Sequence, residues 1–162
     1  EEEGTDNFAN SNNAQGTIEA LLRADEAVGV FREHVAANPD TLFIMAADSN
    51  AGGMSVVGPS AAEMLAVAPL GDLPATMRNG SALDGVAGTG TRPFESAPDA
   101  EGVTHRFGVS WSGYADVSGG ILVRAEGLNA ERVSPLMANT DVYALMYETL
   151  FGQAPGEEAA AE

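Results

Sequence analysis

Four acidic side chains occupy positions from which a folded chain can present oxygen to a ligand. Asp48 directly follows the apolar run 41–47, the strand-end address at which open α/β sheets hold ligands. Glu3 and Asp6 lead into the asparagine-rich stretch 7–13, and Asp116 lies in the turn 112–116 between two strand-like segments. Carboxylates so placed can collect a cation, although each by itself is more often a cap or turn residue. The two histidines read as structural: His34 falls inside a helix beside its apolar face, and His105 opens a strand. The glycine-rich stretches Asn50-Ala51-Gly52-Gly53 and Ser118-Gly119-Gly120 are not the phosphate loop that ends in lysine, because the chain has no lysine. Gly52-Gly53 either brings the backbone close to a metal or substrate or makes an ordinary turn. Trp111 and Tyr114 flank the loop holding Asp116; they can wall a pocket, but core packing and turn placement are commoner roles.

The elements that must carry these residues can be read from periodicity. Thr17 can cap a helix whose apolar positions Ile18, Leu21, Leu22, Val28, Phe31 and Val35 recur at helical spacing, and Asn38-Pro39-Asp40 stops it. The run 41–47 is apolar without alternation, so it predicts a strand buried on both faces. Helix, tight turn and buried strand together predict an α/β fold with a largely parallel sheet. Glycine and proline recur through 49–104, a loop region or insertion with short helices at 61–68 and 83–87. Strands follow at 104–111 and 120–125. A helix over 135–151 then buries Val142, Leu145, Met146, Thr149 and Leu150, with Gly152 past its end. Residues 1–153 read as one domain and 154–162 as a disordered acidic tail.

Composition narrows the classes. The 162 residues hold 24 acidic and seven basic side chains, all seven arginine, for a net charge of −17. Such a surface repels phosphate backbones and excludes nucleic-acid binding through a basic face. No apolar run approaches the roughly 18–20 residues of a membrane span. Without cysteine there is no disulfide, iron–sulfur cluster or thiolate zinc site. The acidity fits a solvated surface adapted to high salt, where carboxylate repulsion is screened; cation collection is the rival reading. The chain opens at Glu1-Glu2-Glu3-Gly4 without Met or signal peptide, which leads us to expect a cut or a preceding segment.

A resemblance joins these observations. Glu2-Glu3-Gly4-Thr5-Asp6 is followed by Arg23-Ala24-Asp25-Glu26-Ala27 in a helix and then by residues 38–48. Arg124-Ala125-Glu126-Gly127-Leu128-Asn129-Ala130, Asn139-Thr140-Asp141-Val142-Tyr143 and Leu150-Phe151-Gly152 close the pattern. In order and spacing this resembles the C-terminal part of alkaline phosphatases, over most of 1–153. The resemblance implies a mixed sheet between helices, and that Glu3 takes the place of a magnesium-binding Glu. Asp6 takes that of a zinc-binding Asp, with Asn10 where a histidine stands four residues on. Asp48-Ser49 replaces the Asp-His pair of the second zinc, and Asp116 replaces the last histidine of the first. All three family histidines are thus replaced by oxygen-bearing side chains.

Zinc favours nitrogen and sulfur donors. The set Glu3, Asp6, Asn10, Asp48, Ser49 and Asp116 is all oxygen, which implies magnesium or calcium, with manganese suited too, rather than zinc. The activity implied is phosphomonoester hydrolysis at a two-metal site through a covalent phosphoenzyme. The nucleophile would come from an N-terminal segment of the same enzyme that is missing from this chain, so the fragment would be inactive alone. The resemblance also implies a small phosphate-ester substrate, is compatible with a homodimer, and points to a periplasmic or secreted location. A phosphodiesterase of the same superfamily is the near alternative. A catalytically dead cation-binding or shell protein is the distant one.

Overall fold

The computed structural model describes residues 1–58, 66–67, 76–77, 82–85 and 93–156. The chain is a mixture of helices and small sheets, and every strand pair among the described residues is antiparallel. It divides into two compact units, one of residues 1–24 and 49–119, the other of 25–48 and 120–162.

The first unit opens with helix α1, Gly4–Asn10, a segment to which periodicity assigned no element. Glu2 explains the difference. Its carboxylate accepts the Gly4 N–H at 3.1 Å, and its carbonyl accepts the Thr5 hydroxyl at 2.9 Å. The first of these satisfies a backbone N–H that a helix start leaves open. Arg23 in turn holds the Glu2 carboxylate through Nε and Nη2 at 3.2 and 3.1 Å. The next helix, α2, runs Ala14–Ala37 and contributes to both units. Its start lies before the expected Thr17, because Asn13 Oδ1 accepts the Gly16 N–H at 3.0 Å and takes the capping position. Thr17 is buried inside the first turn, its hydroxyl donating back to the Asn13 carbonyl at 2.9 Å.

The sheet of this unit is ordered around Arg106–Ser110. Numbering the strands along the chain, β1 is Leu42–Ala46, β2 Asn50–Ala51, β3 Ser55–Val57, β4 Ala66–Val67 and β5 Thr76–Met77. Then come β6 Leu83–Asp84, β7 Phe94–Glu95, β8 Arg106–Ser110, β9 Asp116–Val117 and β10 Val123–Gly127. Strand β8 lies between β3 and β6, with Ser110 opposite both Ser55 and Leu83, and it also pairs β7. Strands β2 and β9 pair, as do β4 and β5. The core gathers Ala9, Ala14, Val109 and Trp111, with Ala51, Met54, Phe94 and Phe107 against them.

Two short helices expected in the glycine-rich stretch meet strands instead. Residues 66–67 form β4, while 61–65 and 68 lie outside the described residues. Leu83 and Asp84 form β6, because pairing with β8 buries Leu83 to 1% exposure, a tertiary gain that overrides a weak local preference; 86–87 lie outside the described residues.

The second unit holds the end of α2, the β1–β10 ribbon, a 3₁₀ turn at Ala130–Arg132 and the final helix α3, Asn139–Phe151. Here the expected largely parallel sheet is corrected. Strand β1 runs antiparallel to β10, with Leu42 opposite Gly127 and Ala46 opposite Val123. An apolar run sets how much burial a strand seeks, not the direction of its neighbour, which the connection decides. Burial on both faces is corrected too: Leu42, Phe43 and Ile44 are half-buried and Met45 and Ala46 exposed. Phe43 stacks on Phe31 of α2 with ring centroids 5.1 Å apart, and Arg32 donates to Glu126 at 2.7 Å. Gly127, at φ +94, passes so close to the Thr41 carbonyl that a Cβ would run into it.

Helix α2 stops as predicted before Pro39, with Asn38 Nδ2 donating to the His34 carbonyl at 2.8 Å. In α3 the Asp141 carboxylate accepts the Ala138 N–H at 2.8 Å, and Gly152 ends the helix at φ +70. Leu145 is buried, but Met146 and Leu150, expected inside, are exposed with Tyr143 on the outer side. No helix among the described residues is long and apolar enough to cross a membrane. Of the acidic tail, 157–162 lie outside the described residues.

Candidate functional site

Residues four apart on a helix share a face, so α1 presents Asp6 and Asn10 together. The Asn10 amide Nδ2 donates to Asp6 Oδ1 at 3.1 Å and to Asp116 Oδ1, on β9, at 2.9 Å. Its Oδ1 accepts the Gly52 N–H at 2.9 Å, which fixes the amide so that its protons face both carboxylates.

Gly52 and Gly53, at φ +62 and +58, form the turn that makes this approach possible. A Cβ on Gly52 would collide with the Ala9 carbonyl and crowd the Trp111 ring. The Gly52 carbonyl accepts the Ser112 N–H at 2.9 Å, tying the turn to the loop that leads into β9. The β2–β9 pairing then sets Asp116 opposite Ala51. Gly52-Gly53 therefore does bring the backbone into close approach, and what it approaches is α1 and Trp111.

The other sequence-predicted site residues take no part in these hydrogen bonds. Glu3 is exposed at the start of α1, where its carbonyl accepts the Asp6 and Asn7 N–H groups at 3.1 and 3.0 Å. Its side chain makes no hydrogen bond to the trio, nor does that of half-buried Ser49. Asp48 is exposed in the bend after β1 and belongs to the unit of 25–48 and 120–162. Among the described residues, no three His, Cys, Asp or Glu side chains gather as a metal group. What the trio offers is two carboxylates converging on one point, where an amide nitrogen now sits. That donor set is all oxygen and suits a hard cation more than zinc. A cation between Asp6 and Asp116 would have to displace Asn10 Nδ2, and turning the amide to offer its oxygen would break the bond from Gly52.

The histidines lie elsewhere. His105 Nε2 bonds Asp99 Oδ2 at 2.7 Å in the β7–β8 hairpin. That contact, with the Val103 N–H next, holds the Asp99 carboxyl below its ordinary range. His34 accepts from Asn38 at the end of α2. Trp111 is a core residue, and Tyr114 is exposed. Sequence reasoning missed Asp84, whose Oδ2 accepts the Trp111 indole N–H at 3.1 Å and the Ala14 N–H at 3.3 Å. It ties the start of α2 and the core to β6. No spacing signal marks it, since its partners come from distant segments.

No family model matches the chain, and no curated protein or solved structure matches it.

Proposed function

We propose that the chain is part of an alkaline phosphatase-like hydrolase of phosphate esters that uses hard divalent cations. The reading includes that family's mixed sheet, a small phosphomonoester as substrate, and a periplasmic or secreted place of work. One observation carries it. The three positions that the resemblance assigns to a single cation are Asp6, Asn10 and Asp116, and they meet within 3.1 Å contacts although Asp116 lies 106 residues beyond Asn10. Asp6 and Asn10 meet through helical spacing, and it is the arrival of Asp116 beside them that supports the reading.

In this reading Asp6 and Asp116, at the position shared with Asn10, would hold a magnesium, calcium or manganese ion; Asp48 and Ser49 take the place of the second metal's ligands, and Glu3 that of the magnesium ligand. A bound cation supplies positive charge that neutralises phosphate oxygens. This chain's own contribution is to hold the carboxylates: α1 sets Asp6 and the β2–β9 pair sets Asp116, with the cation taking the place that the Asn10 amide nitrogen holds. The nucleophile comes from another segment of the enzyme.

A second reading is favoured by the Asn10 amide itself. By donating to both carboxylates it satisfies them without a cation, as a catalytically silent shell protein would allow.

Elemental analysis after dialysis against metal-free buffer, followed by calorimetric titration with calcium, magnesium, manganese and zinc, separates the two. Near-integral binding of a hard cation that Asp116→Asn abolishes supports the hydrolase. Stoichiometric zinc at these residues would sink the oxygen-donor argument, and absence of binding would favour the silent protein. Assays of a monoester and a diester on the polypeptide that includes the nucleophile then decide between phosphomonoesterase and phosphodiesterase.

A further inference from the structure

No further inference is drawn: the strongest candidate, the outward apolar stripe of Tyr143, Met146 and Leu150 on α3, carries nothing because nothing in the structure shows what covers it.

Discussion

Asn10 is bonded to Asp116 across 106 residues of sequence, Nδ2 to Oδ1 at 2.9 Å. That contact joins the first helix to a two-residue strand, and a single amide serves both it and Asp6. Replacing Asn10 by Ala removes all three of its side-chain hydrogen bonds and leaves two carboxylates facing each other. Net losses of about 0.5–1.5 kcal/mol per bond, lower where solvent reaches the pair, set the expected destabilisation at about 1–3 kcal/mol. Urea unfolding of N10A against the parent measures it; an unchanged midpoint would show that the clasp contributes nothing.

Asn10→Asp tests the same place with opposite chemistry. Three carboxylates then converge, so the variant is expected to be less stable than the parent in metal-free buffer. Calcium or magnesium should raise its melting temperature by more than it raises the parent's. Thermal scans with and without each ion give the comparison, and equal shifts in the two proteins would remove position 10 from the cation site.

Gly52 carries both a left-handed backbone and a contact with no room for a methyl group. Gly52→Ala is expected to cost about 2 kcal/mol or more, from backbone strain plus displacement of Ala9. Urea unfolding of the variant against the parent measures the loss. Gly29, inside α2 with open space around its Cα, is the control: Gly29→Ala should stabilise by about 0.5–1 kcal/mol.

Acid sensitivity follows from two depressed carboxyls. Arg23 lowers Glu2 from its ordinary 4.5, and His105 lowers Asp99 from 3.8. A carboxyl whose folded pKa lies below its unfolded one contributes stability that is present above the unfolded value. That stability is lost as pH falls through the folded one. Stability should therefore be flat from neutral pH to about 5 and decline below the ordinary carboxylate range. Asp99→Asn and Arg23→Gln should each make that decline shallower in urea midpoints measured from pH 6 to 3.

The net charge of −17 makes a further expectation. Added salt shortens the Debye length to about 3 Å at 1 M and relieves repulsion among carboxylates, so the melting temperature should rise with potassium or sodium chloride. A melting temperature equal in dilute and molar salt would refute the reading of the acidity as salt adaptation.

What could be read from the sequence was what local periodicity controls. The long helix, its stop before Pro39, the strand at 42–46 and the terminal helix each follow from spacing within a dozen residues. What could not be read depends on partners far along the chain. Strand β1 takes its direction from β10, and Leu83 becomes a strand because β8 needs a neighbour. Helix α1 was hidden because its start is satisfied by the Glu2 side chain, which Arg23 holds from another helix. The site divides in the same way. Asp6 and Asn10 share a helix face through simple spacing, whereas the place of Asp116 beside them rests on a glycine turn whose left-handed angles no local pattern announces.

The β1–β10 ribbon has a consequence for how the protein reaches its folded state. Its register sets Leu42 opposite Gly127, so every rung closes a loop that contains the whole β-rich part of the other unit. Closing so large a loop costs entropy before any rung repays it. Helix α2, whose bonds are local, can form within microseconds, while the ribbon must wait for distant segments to meet. In refolding, protection of the Phe43 and Glu126 amides, a hydrogen-bonded pair of the ribbon, should therefore lag behind that of α2.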